Sequence, residues 1–161
     1  MAHAWNLGIS EPPRWHSFLD LRQLGRRRWI TLSPLVYSSG VFGGTITVPA
    51  EFITDLASVP RLPVAWWIAG DRARGPAVLH DWLYQHPGFG DRSLADAVFL
   101  EAMGVHQPEF GHEAEPILVR TTMWSAVRAF GWMVWHSYER RASALNPEWS
   151  SAGWPDLAEA P

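Results

Sequence analysis

The apolar positions change period along the chain, and each change marks a new element. Residues 29–37 and 42–48 are rich in Trp, Ile, Val, Thr and Tyr and flank Ser38-Ser39-Gly40, the pattern of two strands and a turn. Polar and apolar residues alternate in Thr45-Ile46-Thr47-Val48, which predicts one buried and one wet face. Residues 50–63 carry Pro60 and Pro63 and no sustained period, yet include Phe52, Ile53, Leu56 and Val59; this predicts a loop anchored by burial. Trp66, Trp67 and Ile68 are expected to form a short patch. Gly75-Pro76 reads as a helix start with Pro at the first helical position, and the helix should stop near Pro87-Gly88. Asp91-Arg92-Ser93 opens a second helix, with Ser93 and Asp96 in capping-box spacing, ended by Gly104 and Pro108. So short a connection predicts antiparallel neighbours. A long helix follows from Ile117 to about Arg141.

These elements predict an α+β fold: an N-terminal β-hairpin or small antiparallel sheet, a helical hairpin, and one long Trp-rich helix. Residues 1–28 show no clear period and read as an arm or irregular lead-in, residues 29–141 as a single domain, and residues 142–161 as a tail that Trp149 and Trp154 would pin to a surface. The length of 161 residues agrees with one domain.

Composition narrows the chemistry. There are 11 Trp, no Cys and no Lys, so all 13 basic residues are Arg. Without Cys there is no disulfide, thiolate metal site or cysteine nucleophile, and without Lys no Schiff base or phosphate-loop lysine. The net charge of -3, with Arg26-Arg27-Arg28 the only basic run, argues against a nucleic-acid partner. The apolar stretch 123–135 is interrupted by Arg128, so no transmembrane segment is expected, and the first residues lack the order of a secretion signal. No His-Glu-x-x-His or Gly-x-Ser-x-Gly occurs, and His80, His86, His106 and His112 follow no metal-ligand spacing.

What remains for chemistry is His, Asp and Tyr, concentrated between Asp55 and Asp96. On a helix His80 and Tyr84 share a face while Asp81 points about 100° away. A returning second helix would bring Asp96 to both. A carboxylate holding one imidazole nitrogen leaves the other as general base on a water, and a tyrosine hydroxyl can steady that carboxylate. Asp81 would then be available to a cation such as calcium, with Asp55 and backbone carbonyls completing the oxygen shell. The same residues also admit a structural reading, with His80 capping a carbonyl and the Asp facing solvent. The long helix carries Arg120, Trp124, Arg128, Trp132 and His136 at intervals of four, a strip along which Arg can stack on Trp. Trp124, Arg128, Trp132 and Trp135 are therefore the candidate protein-interface residues, Trp and Arg being favoured anchors.

Two resemblances follow. The order Phe52, Thr54-Asp55-Leu56-Ala57-Ser58-Val59-Pro60-Arg61, then Ala77-Val78-Leu79-His80-Asp81-Trp82-Leu83-Tyr84, then Arg92, Ala95-Asp96 and Phe99 resembles a family of short bacteriophage- and prophage-encoded proteins of uncharacterised function, over about residues 29–135. That resemblance implies a component of the virion, made in the host cytoplasm, associated with the tail or baseplate and binding other phage structural proteins. Over about 25 residues, His-Asp-x-x-Tyr followed by Ala-Asp-x-x-Phe is similar to the catalytic helices of the phospholipase A2 superfamily. That similarity implies a cation-dependent hydrolase of lipid or another cell-envelope substrate used in host entry or release. His80 would be its general base, Asp96 the orienting carboxylate, Asp81 a calcium ligand and Tyr84 a support. The glycine-rich calcium loop of that superfamily has no clear match upstream.

Overall fold

The computed structural model describes residues 12–26, 28–56 and 73–145. The expected patch at Trp66–Ile68, the Ala57–Arg61 part of the loop motif and the tail beyond residue 145 lie outside the described residues. The architecture is α+β, with two small antiparallel sheets preceding three helices.

One sheet has the order β1 (Arg14–Trp15), β4 (Leu35–Ser39), β5 (Gly44–Val48). In the β4–β5 hairpin Leu35 pairs with Val48 and Tyr37 with Ile46. Leu35, Tyr37, Ile46 and Val48 are buried while Thr45 and Thr47 are exposed, as the alternation predicts. The turn lies slightly later than expected, at Gly40–Gly43, where Gly43 adopts a left-handed φ of 76°. The other sheet has the order β2 (Leu21–Gly25), β3 (Arg28–Thr31), β6 (Ile53–Thr54). The expected single strand over residues 29–37 is thus broken around Pro34 into β3 and β4, which belong to different sheets.

From residue 12 on, the described part of the lead-in packs into the fold. Trp15 is fully buried, pairs across from Tyr37 with ring centroids 4.5 Å apart, and stacks on His112 at 4.0 Å. A single large aromatic ring suffices to draw an aperiodic segment into the core, because burying it removes as much apolar surface as several smaller residues together.

The helices are α1 (Arg74–Gln85), α2 (Arg92–Ala102) and α3 (Ile117–Leu145). Helix α1 begins two residues before Pro76, which occupies its first turn, where a missing N–H is harmless. Its cap, Ala73, is left-handed at φ 54°. Helix α2 is capped by Asp91, whose carboxylate accepts from Leu94 N at 2.8 Å; the Ser93/Asp96 capping box does not form because Asp96 is turned into the interior. Helix α3 buries Val119, Met123, Ala126, Val127, Gly131 and Trp135, one stripe that packs over α1 and α2. Ile117, Leu118, Trp132 and Met133 remain exposed on it. The Arg-on-Trp stack expected along this helix is absent among the described residues, where the cation–π contacts are Arg74 over Trp29 and Arg141 over Tyr138. No helix among the described residues is long and apolar enough to cross a membrane.

Candidate functional site

Asp96 has no exposed surface, so its charge must be met from within the protein. It lies on the inner face of α2 with Ala95, Val98, Phe99 and Ala102, and three elements converge on it. From α1, His80 Nε2 lies 2.9 Å from Oδ1 and the Tyr84 hydroxyl donates to the same oxygen at 2.7 Å. From α3, Arg128 donates to Oδ2 at 3.0 Å and also reaches Ser93 Oγ. Arg92, one turn earlier on α2, has its Nη1 3.8 Å from Oδ2 and donates to the backbone oxygens of Val127 and Arg128. Burial by itself would push the Asp96 carboxyl up; the hydrogen bonds from His80 and Tyr84, the His80 charge and the Arg128 hydrogen bond outweigh it and hold the group below its ordinary range. Burial, reinforced by the Asp96 hydrogen bond and charge, pushes the Tyr84 hydroxyl far above its usual value against the opposing pull of Arg92, so it remains a donor.

The His80 ring is walled by Tyr84 at 4.1 Å and Phe99 at 4.8 Å, centroid to centroid. With Nε2 committed to Asp96, the second nitrogen, Nδ1, has no hydrogen-bond partner among the described residues. In the neutral imidazole this contact selects the tautomer in which the Nε2 proton faces the carboxylate and Nδ1 carries the lone pair. Two cavities are lined elsewhere, one by Trp132, Met133, His136, Glu139 and Arg140, the other around Trp15, Phe110 and His112; His80 lines neither.

Asp81 points to a different neighbourhood. Its Oδ2 accepts from Thr54 Oγ1 at 2.5 Å, and Thr54 Oγ1 accepts in turn from Leu56 N at 3.0 Å. The charges of Asp81 and Asp55, after burial, push the Tyr138 hydroxyl upward, which sets all three in one region. Calcium takes roughly six to eight oxygens; Asp81 and Asp55 would supply the carboxylates of such a shell, and residues 57–72, which follow Asp55 closely, lie outside the described residues. Among the described residues no group of three or more His, Asp or Glu side chains converges on a metal position.

The His80, Tyr84 and Asp96 expected from spacing therefore meet, whereas Asp55 and Asp81 form a separate polar region. Of the four interface candidates, Trp132 is exposed, Trp124 is half-buried, Arg128 is turned onto Asp96, and Trp135 is in the core, edge-on to Tyr84 and bonded through Nε1 to Glu139. Sequence reasoning missed Thr54 and Arg92 as partners, and missed the contact of Arg128 with Asp96, because that pair spans 32 residues and leaves no local spacing signal. It also missed Gly131, where an added Cβ would sit 2.5 Å from the Tyr84 hydroxyl. A glycine inside a helix is unfavourable by about 1 kcal/mol relative to alanine, and that anomaly was the available clue.

No curated protein and no solved structure matches the chain. One family does, described as "Protein of unknown function (DUF1353)", over residues 29–127. The matched span holds Asp55, His80, Asp81, Tyr84, Arg92 and Asp96 and stops one residue before Arg128. Since it covers well over half of the sequence, the chain belongs to the DUF1353 family of proteins of unknown function.

Proposed function

We propose that the protein is a His/Asp hydrolase of ester bonds, acting on lipid or another cell-envelope substrate, with His80 as general base. The observation that carries this reading is the single oxygen of Asp96 accepting from both His80 Nε2 and Tyr84, which leaves Nδ1 as a fixed basic nitrogen. In the reaction, His80 Nδ1 takes a proton from water as the water oxygen bonds to the ester carbonyl carbon. The ionised Asp96 stabilises the resulting imidazolium. When the tetrahedral intermediate collapses, the acyl–oxygen bond breaks and the Nδ1 proton passes to the departing alkoxide, giving an acid and an alcohol. No step is assigned to a cation.

The test is fatty-acid release from vesicles of phosphatidylethanolamine and phosphatidylglycerol, alongside cleavage of a short nitrophenyl ester. Replacing His80 by Ala should lower the rate by about a hundredfold to ten-thousandfold, the usual contribution of a general base. The near-ultraviolet circular dichroism spectrum should be unchanged. Wild-type protein that cleaves neither ester, or a His80→Ala variant as active as wild type, would sink the reading.

A second reading is favoured by the adjacent Trp132 and Met133, which are 51% and 48% exposed. In it the protein is a bacteriophage particle component of the tail or baseplate, localised to the virion and held to other phage structural proteins through α3. Trp132→Ala should then block incorporation into particles while the isolated chain keeps its melting temperature; normal incorporation would remove the idea. A particle-bound hydrolase is compatible with both.

A further inference from the structure

Helix α3 contributes two residues to the site that face it from one side, Arg128 and Gly131, three positions apart and so on the same face. They do opposite things. Arg128 places a donor 3.0 Å from Asp96 Oδ2, and Gly131 places no side chain where the Tyr84 hydroxyl needs room. A carboxylate free to rotate about its Cβ–Cγ bond could offer either oxygen to His80. With Oδ2 held by the guanidinium, Oδ1 alone faces the imidazole and the phenol. The tyrosine keeps room to reach Oδ1 because Gly131 carries no side chain: a Cβ there would lie 2.5 Å from the Tyr84 oxygen and 3.3 Å from its Cζ, the first distance being shorter than real Cβ contacts. Arg92 fixes the approach. Its guanidinium ties the start of α2 to the backbone oxygens of Val127 and Arg128, at 3.4 and 3.0 Å, so the segment carrying Arg128 cannot slide along α2 without breaking those bonds.

We infer that α3 is the positioning element of the His80–Asp96 pair, with Arg128 clamping the carboxylate and Gly131 admitting the Tyr84 hydroxyl that completes it. Neither residue touches the reacting atoms; both are positioning residues. The inference rests on the hydrolase reading for its catalytic consequence, but its geometric content stands apart from that reading. Misplacement of a catalytic group by about 1 Å can lower a rate on the order of a hundredfold. Arg128→Gln and Gly131→Ala should therefore depress kcat for nitrophenyl ester cleavage by about tenfold to a hundredfold with KM unchanged. Arg128→Lys, which keeps a cation able to reach Oδ2, should restore most of it.

The experiment reads the pair directly by following the Nε2 proton of His80 in protein labelled with nitrogen-15 at its seven histidines. The proton is assigned by its loss in His80→Ala. A proton held against a buried carboxylate exchanges slowly and resonates far downfield. It should move upfield and broaden in Arg128→Gln and in Gly131→Ala, and stay near its wild-type position in Arg128→Lys. Because Gly131→Ala can also disturb folding, it is repeated in a Tyr84→Phe background, where the clashing oxygen is gone; there the added methyl should have a much smaller effect on both the resonance and the melting temperature. A His80 resonance unchanged by Arg128→Gln and Gly131→Ala in folded protein would overturn the inference, as would an equal effect of the methyl with and without the Tyr84 hydroxyl. If the resonance responds as expected while even wild-type protein cleaves no ester, the clamp stands and the hydrolase reading falls. If wild type cleaves ester and the variants keep full kcat, the clamp falls and the hydrolase reading stands.

Discussion

Helix α2 carries two carboxylates that each accept a tyrosine hydroxyl, and they differ in burial and in the partners they gather. Glu101 takes the Tyr37 hydroxyl at 3.1 Å, the Ser39 hydroxyl at 2.7 Å and the Val41 amide at 3.1 Å, binding the β4–β5 turn to the helix. All three donors are neutral, none can accept a proton at ordinary pH, and Glu101 is partly exposed. Asp96 takes the Tyr84 hydroxyl too, but its other partners are an imidazole and a guanidinium, and it is fully buried. Only the second cluster contains an imidazole, whose two nitrogens can serve one as donor and one as acceptor. A buried tyrosine–carboxylate pair is common to both clusters; what sets the Asp96 cluster apart is an imidazole with one nitrogen on the carboxylate and the other without a hydrogen-bond partner among the described residues.

The sharpest way to break the comparison is to neutralise the two carboxylates in turn. Asp96→Asn should destabilise the protein by about 3 kcal/mol, within the range for breaking a buried ion pair but not at its top, because the Arg128 side chain is 35% exposed and can turn to water. Urea denaturation at pH 7 measures it. The pH dependence follows from the depressed Asp96 carboxyl. A group whose folded pKa lies below its unfolded value of about 3.9 contributes stability above that pH and loses it as the pH falls through the folded value. Wild type should therefore lose stability on acidification below about pH 4 more steeply than Asp96→Asn. Parallel acid limbs would mean that Asp96 is not the ionised centre of the cluster.

Glu101→Gln should do less. The amide keeps one oxygen for Ser39 and Tyr37, and the group facing the Val41 amide can turn toward solvent, so the expected loss is about 1 kcal/mol, that of a typical neutral hydrogen bond. Ester cleavage should be unaffected. A loss equal to that of Asp96→Asn would erase the distinction drawn between the two carboxylates.

Much of this was legible in the sequence where the signal was local. The 2-residue alternation of Thr45-Ile46-Thr47-Val48 reports its own buried face, and His80 and Tyr84 announce a shared helical face by being four apart. The short connection between α1 and α2 made Asp96 a reasonable guess as their partner. What could not be read is what long-range packing decides. Trp15 sits in an aperiodic segment and enters the core only because β4 offers it an edge and His112 a stacking face. The break at Pro34 distributes one β-rich run between two sheets. The Arg128–Asp96 contact could not be read from spacing, because it depends on which neighbour arrives; here α2 brings a buried carboxylate to it. The Thr54–Asp81 contact has the same origin, since β6 meets α1 only in three dimensions.

The smallest expected effect tests where the two clusters are alike. In both tyrosines burial, together with the neighbouring carboxylate, pushes the hydroxyl well above its ordinary value. A group whose folded pKa is raised contributes stability that is complete below its unfolded value, about 10, and is lost as the pH rises toward the folded value, because the unfolded chain releases the proton first. Tyr37→Phe and Tyr84→Phe should each cost about 1 kcal/mol at pH 7. Each should also flatten the decline in stability between about pH 10 and pH 11. The variants separate only in function: Tyr84→Phe loosens Asp96 Oδ1 and should lower ester cleavage several-fold, whereas Tyr37→Phe should leave it at the wild-type rate. Alkaline limbs as steep as wild type in both variants would mean that neither hydroxyl is held by its carboxylate, and equal losses of cleavage would mean that the two tyrosines act through the fold alone.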